Sequence, residues 1–567
     1  MVEIFFYSYL ISLHIYICGY LFFYIIIDKK IKESNNIFEF FFFGLFAIGF
    51  VSLFLNFIVS LNKLTNIIIF FAPFFLFLLI FNKNFLKKSL VLSFPVSLLL
   101  LLTISYDGTY RPDAGSYHLP YISILNEHKI LIGINNIHFR FGHTSIIQYV
   151  SSIYNNYIFN EQGITIPIGL VFCNFIGYCV YELFNQKNNH TQKILIFILL
   201  SFVFFRVNRY SDFGNDAPAN LLFFYLIIES IKGSDLIIKI KKTILTSTFI
   251  FLNKVTLLLG FLIPVFYIFK YFKIKLLINK VSIFSLIFLF LYFGKNILVS
   301  GCLMFPVEQT CIEKIFWYDK DSNRGSNAIN ARLENEAWTK GWMDQKGEKK
   351  THKEYLESYN WIEIWLSSEG KKIINKLAPF FIFTIILLVS LLIYETKNKN
   401  INNKKHNLSF DYYLCLIISI LGSILWFLKF PVFRYGYSYL ITFFAILIVM
   451  YLKNFNFFLN GKKTNKYFKI TMIIMLAGIS LKNINRIYQG IDDNINAWPN
   501  IYNSDLVFKK NKNIGIKKND KIIFYKANKG ECYFSKSPCT HFYNGQDFSL
   551  NEINVKNIKG YKIYFFN

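Results

Sequence analysis

The chain has 567 residues, 54% of them hydrophobic and 19% aromatic, a composition that excludes an ordinary soluble enzyme. Its formal net charge is +27. The lysines fall in short clusters between apolar runs, so the positive-inside rule accounts for the charge and nucleic acid is excluded as a partner. Neither a P-loop nor a dinucleotide glycine fingerprint is present, which argues against an ATP-driven pump.

Recurrent apolar runs make the chain a multi-pass membrane protein. Ile4–Ile27 has no small-residue cleavage site and reads as a retained spanning helix. Lys29, Lys30 and Lys32 mark the inside, Phe38–Leu61 returns outward, and Ile67–Phe81 goes back to Lys83, Lys87 and Lys88. Leu90–Ile104 then delivers the first long outer loop, residues 105–162. Within it, Tyr106–Thr144 is a polar island that holds Asp107, Arg111, Asp113, His118, Glu127, His128, His138, Arg140 and His143. Acids, bases and cations gathered at a membrane surface point to a site rather than a spacer.

Gly163–Phe184 and Ile194–Phe205 lead to a second outer island, residues 206–220, with Asp212, Asn215 and Asp216. Ile244–Leu252 and Thr256–Phe269 are each short for a crossing, so they predict a bent hairpin with Lys254 at its tip. Val281–Leu298 opens onto the central outer segment, residues 300–377, which carries Trp317, Trp338, Trp342, Trp361 and Trp365. Tryptophan favours the headgroup region, so this segment is expected over the outer surface or as the cap of a cavity. With Leu221–Ile231, which returns inward after the second island, Pro379–Tyr394, Tyr412–Leu428, Tyr439–Leu452 and Ile470–Leu481 complete about 14 passes. The outer turn Lys429–Tyr437 contains Arg434 and Tyr435.

The fold expected is an all-α polytopic membrane domain over residues 1–481, followed by a small β-rich or α+β outer domain over 482–567. The close pairs Cys302/Cys311 and Cys532/Cys539 lie in polar segments and are disulfide candidates if those segments face an oxidising compartment. Oligomeric state has no signature in the sequence.

The run Tyr106–Thr144 resembles the first outer loop of polytopic GT-C-fold glycosyltransferases, through its core Asp113-Ala-Gly-Ser-Tyr-His-Leu-Pro120. The likeness is closest to a bacterial membrane-protein branch with a D-A-x-x-Y-H-L-P segment. In that branch an R-F-G-like segment follows, here Arg140–Gly142 preceded by His138-Phe139. Ser211–Asp216 is similar to that group's second acidic patch, and Phe433–Tyr437 to its later aromatic–arginine segment. The resemblance implies inverting transfer of a sugar from a polyprenyl-phosphate-linked donor at the extracytoplasmic face of a bacterial inner membrane, among membrane lipids. It makes Asp113 the base or acceptor-positioning carboxylate, and Arg434 a contact for donor phosphate.

Asp212 and Asp216 are then expected to position acceptor or metal, and Lys254 to bind phosphate. Arg111, His118, Arg140, His143 and Tyr435 complete the substrate-binding set. In that group the acidic junction usually follows the first helix; here it follows the fourth, which requires extra N-terminal helices. Asp212 and Asp216 are spaced more widely than an Asp-x-Asp metal motif, so a divalent cation such as Mg2+ or Mn2+ stays an open alternative. A transporter or flippase of lipid-linked saccharides is the alternative function. It would use the same charges as a pathway.

Overall fold

A computed structural model describes residues 1–29, 36–103, 113–185, 188–206, 213–233, 235–272, 274–321, 324–397, 408–452, 461–493, 498, 514–518, 521–527, 530–541 and 552–566. The chain is predominantly helical: α1 (Val2–Phe22), α2 (Ile37–Asn56), α3 (Lys63–Leu79), α4 (Lys83–Thr103), α5 (Leu119–Glu127), α6 (Ile146–Ser152), α7 (Ile166–Phe184), α8 (His190–Phe205), α9 (Asp216–Ile231), α10 (Leu236–Asn253), α11 (Leu262–Lys270) and α12 (Lys280–Ser300). The second half adds α13 (Ala328–Thr339), α14 (His352–Glu357), α15 (Trp361–Trp365), α16 (Lys371–Lys397), α17 (Phe410–Lys429), α18 (Phe433–Leu452) and α19 (Gly461–Asp492).

Asparagine starts many of these helices. Asn36, Asn62, Asn279 and Asn327 each accept backbone N–H groups that α2, α3, α12 and α13 would otherwise leave unpaired. Gly301, at a positive φ of 79°, terminates α12.

Among the described residues, seven helices are long and apolar enough to cross a membrane, fewer than the fourteen passes expected. Three more apolar helices, Lys63–Leu79, Thr191–Phe205 and Val255–Lys270, are shorter. The chain breaks at Lys254, between α10 and a tight 3-10 turn, where the bent hairpin was expected. Exposed apolar stripes run down single helix faces: Ile283, Leu286, Ile287 and Phe290 on α12, and Ile417, Ile420, Leu421, Ile424 and Leu428 on α17. Such stripes suit lipid, not water.

Two glycines set the tightest packing. A Cβ on Gly19 would lie 1.6 Å from the Phe40 carbonyl oxygen, and one on Gly44 would lie 2.0 Å from that of Ile15. α1 and α2 therefore press backbone against backbone, as small residues allow in membrane bundles.

α19 runs to Asp492, through the expected domain boundary at 481/482. It packs on α4, with Arg486 Nη2 donating to the Thr103 carbonyl at 3.0 Å. Beyond it, β1 (Ile514–Lys518) pairs antiparallel with β2 (Lys521–Lys526), which pairs in parallel with β3 (Cys539–Thr540). β4 (Asn554–Ile558) and β5 (Tyr561–Phe565) form a hairpin whose turn residues Lys559 and Gly560 both have positive φ, the geometry that matches strand twist. This tail is docked on the first long loop: Tyr564 N donates to the Ile132 carbonyl at 2.8 Å, and Asn136 Nδ2 to that of Tyr564 at 3.0 Å.

Candidate functional site

Four charged side chains from four separate segments form one alternating chain. Asp113 precedes the π-turn Ala114–His118 that leads into α5. Its Oδ2 lies 2.6 Å from Arg434 Nη1, in the first turn of α18. Arg434 Nε lies 3.5 Å from Asp216 Oδ2, in the first turn of α9. Asp216 Oδ1 in turn pairs with Lys254 at the break after α10. One planar guanidinium thus bridges two carboxylates, a geometry that a lysine has no second arm to copy.

Tyr435 floors the cations. Lys254 Nζ sits 3.6 Å from its ring centroid, and Arg434 Cζ 5.2 Å. α18 kinks at Gly436, whose missing Cβ leaves room for the Trp426 ring. That kink sets the Arg434–Tyr435 turn apart from the rest of the helix.

Asparagines tie the segments together. Asn220 Nδ2 donates to the carbonyls of Asp216 (2.8 Å) and Arg434 (3.2 Å), while its Oδ1 accepts from Ser438 N. Asn215 Nδ2 donates to the Asn253 carbonyl at 2.8 Å, and Asn253 Oδ1 accepts from Ile147 N at 2.9 Å.

Burial alone would raise the Asp113 carboxyl. Arg434 first, then His118 and Arg140, outweigh burial and hold it below the ordinary carboxylate value. His118 is buried, and its desolvation pushes it down to about 4. Gln148 Oε1 accepts from Ser145 N at 2.8 Å, which turns the Gln148 amide nitrogen toward His118 Nδ1 at 3.2 Å. Nδ1 therefore accepts, and the neutral ring carries its proton on Nε2, beside Gly214.

Arg140 stands at the rim, its Cζ 4.7 Å from the Phe139 ring centroid and 5.8 Å from that of Tyr117. Among the described residues, His143 makes no ion pair in this chain: its Nε2 is 3.3 Å from Asn335 Nδ2, and its ring packs on Phe305. Arg111 and Asp212 lie outside the described residues. Among the described residues, no three His, Cys, Asp or Glu side chains are placed to hold a metal ion.

The expected cysteine pairs form disulfides, Cys302–Cys311 and Cys532–Cys539. The second closes a loop that clasps the segment leading from Asp113. Tyr533 N donates to the Gly115 carbonyl at 2.7 Å, and Ser537 N and Oγ donate to Glu127 Oε2 at 3.1 and 3.0 Å. A Cβ on Gly115 would lie 2.2 Å from Glu531 Oε2 and 2.7 Å from the Tyr533 ring, so a side chain there displaces the clasp.

The central segment contributes Trp338, named in the sequence within a segment expected over the surface or as a cavity cap, and Asn335, which the sequence did not single out. α13 roofs the site, with Asn335 on His143 and Trp338 over Arg434, 5.8 Å from ring centroid to Cζ. The clustered tryptophans were the signal available in the sequence.

A second charged network lies at the other ends of α9 and α10. Lys232 Nζ is 2.6 Å from Glu229, 2.9 Å from Glu182 and 3.4 Å from Glu39; Lys242 Nζ is 2.5 Å from Glu39 and 3.2 Å from Glu229. Asp216 and Glu229 are separated along α9 by about 20 Å of helix.

No curated protein and no solved structure matches the chain. The model of a family described as a domain of unknown function, DUF8201, matches residues 1–441, a span that includes Asp113, Asp216, Lys254, Arg434 and Tyr435, and the chain belongs to that family.

Proposed function

We propose that this protein is a membrane glycosyltransferase of GT-C type. It moves a sugar from a polyprenyl-phosphate-linked donor to an envelope glycan or lipid acceptor at the extracytoplasmic face of a bacterial inner membrane. The observation that carries this reading is the bridge from Asp113 through Arg434 to Asp216 and Lys254. In the resting site Arg434 is occupied by two carboxylates. A donor phosphate competes for that guanidinium and for Lys254.

When phosphate takes Arg434, Asp113 loses the partner that holds its proton affinity down. The freed carboxylate accepts the proton of the acceptor hydroxyl as its oxygen attacks the anomeric carbon. The bond from that carbon to the phosphate oxygen breaks, and the polyprenyl phosphate leaves with its charge met by Arg434 and Lys254. Neutral His118, with its proton on Nε2, is a donor to substrate oxygen.

The test is transfer of labelled sugar from polyprenyl-phosphate hexoses by the full chain in proteoliposomes. Asp113→Asn is expected to abolish transfer while expression and melting temperature persist. Full transfer by that variant removes Asp113 from the mechanism.

The network of Glu39, Glu182, Glu229, Lys232 and Lys242 favours a second reading, a transporter of lipid-linked saccharides, because it places charge at both ends of α9 and α10. Movement of labelled lipid across the bilayer without a new glycosidic bond would select that reading.

A further inference from the structure

The five tryptophans of the central segment differ in how they are satisfied. Trp317 Nε1 donates to the Ile297 carbonyl, Trp342 Nε1 to that of Lys350, and Trp365 Nε1 to that of Pro431. Trp361 is buried against Phe427. Trp338 alone combines exposure with an unused donor: the residue is 42% exposed, and among the described residues its indole N–H has no hydrogen-bond partner and its ring no aromatic neighbour. Its one ring contact is the Arg434 guanidinium.

A large apolar ring held beside an ion-pair chain, with an unused donor at its edge, is matched to a ligand that is apolar on one face and polar around its rim. A pyranose has that character: axial C–H groups pack on an indole face while equatorial hydroxyls take hydrogen bonds. The remaining groups of α13 fit the same ligand. Asn335 lies three residues before Trp338, on the same helical face, and its amide is held by His143 at 3.3 Å. Arg140 offers donors at the rim, where only the Phe139 and Tyr117 rings meet its guanidinium among the described ring contacts.

We propose that α13 forms a saccharide subsite over the Asp113–Arg434 pair, in which Trp338 stacks on a neutral pyranose and Asn335 and Arg140 bind its hydroxyls. The subsite rests on the glycosyltransfer reading and gives that reading a sugar-binding surface separate from the phosphate-binding cations. Trp338 is here a specificity-determining residue, and it takes no part in proton transfer.

The experiment is saturation-transfer NMR on the full chain in nanodiscs, with a panel of methyl glycopyranosides as probes. Wild type is expected to pass saturation to pyranose ring protons of at least one glycoside. Trp338→Ala is expected to lower that signal about tenfold, and Trp338→Phe to retain most of it. An unchanged signal in Trp338→Ala, or no signal from any glycoside with wild type, overturns the proposal. So does an indole that exchanges saturation with lipid headgroups alone, which would make Trp338 a membrane anchor. Binding of a polyprenyl monophosphate to wild type, read by native mass spectrometry, tests the glycosyltransfer reading separately. Its absence counts against the glycosyltransfer reading, and a glycoside signal would then report a saccharide site without that activity.

Discussion

Arg434 Nη1 meets Asp113 Oδ2 at 2.6 Å, although the two residues come from segments on opposite sides of the central loop. The same guanidinium reaches Asp216 through Nε. Arg434→Lys keeps the charge but loses the fork that spans both carboxylates. Transfer is expected to fall by a factor on the order of 10²–10³, the usual cost of losing one charge-stabilising donor. Phosphate-lipid affinity, measured alongside the rate, should fall less than the rate does. Equal losses would mean that Arg434 only binds donor.

Lys254 is held between Asp216 and the face of Tyr435. Tyr435→Leu removes the aromatic face and leaves the ion pair. The expected cost is about 0.5–2 kcal/mol in donor binding, seen as weaker affinity with the protein still folded. Tyr435→Phe keeps the face and is expected to bind as wild type does. A Phe variant as weak as the Leu variant would assign the effect to the hydroxyl.

Acid should destabilise the layer around Asp113 through its histidines. Burial lowers His118 and His541 to about 4 and His143 to about 3, and it holds His138 well below the ordinary value. The unfolded chain therefore binds protons near the ordinary 6.5 that the folded chain refuses. Stability is full above about 6.5 and falls as pH drops toward 3–4. Asp113 adds to the loss below its ordinary 3.8, since its folded value is lower still. His118→Gln is expected to remove a share on the order of 3 kcal/mol and to flatten the slope of melting temperature against pH between 4 and 6.5. An unaltered slope would contradict the neutral, buried ring.

The loop closed by Cys532–Cys539 clasps Gly115 through Tyr533 and Glu127 through Ser537. Gly115→Ala drives a methyl into Glu531 and Tyr533, so a destabilisation of about 1–3 kcal/mol is expected. Hydrogen exchange should rise in residues 113–128 of that variant and of the reduced protein. Unchanged exchange there after reduction would show that the loop does not hold the segment.

Within the bundle, Lys232 is the cation closest to Glu182, which otherwise has Asn36 and Asn188. Lys232→Met leaves a buried carboxylate without its counter-ion, at an expected cost of about 3–5 kcal/mol. Adding Glu182→Gln to that variant should recover part of the loss in a thermal-unfolding cycle.

The residues of the ion-pair chain stood out in the sequence because charge is rare beside apolar runs. Asp113, Asp216, Lys254 and Arg434 each interrupt or border such a run, and that contrast is a strong local signal. Helix number was read less well, because runs such as Lys63–Leu79 and Thr191–Phe205 are apolar enough to resemble full crossings yet are shorter. Gln148, Asn220 and Asn335 escaped notice, and Trp338 was seen only as one of five clustered tryptophans, because ordinary polar or aromatic residues gain a role only from what lies across the fold. No spacing in one segment reports that α13 covers α18. The Glu39–Lys242 network was hidden for the same reason, since its members come from α2, α7, α9 and α10.

The clasp on Gly115 also has a consequence in time. A ribosome makes the Asp113 segment long before it makes the loop that grips it. A newborn molecule therefore completes this contact late, and a truncation that spares every helix of the bundle would still lack it.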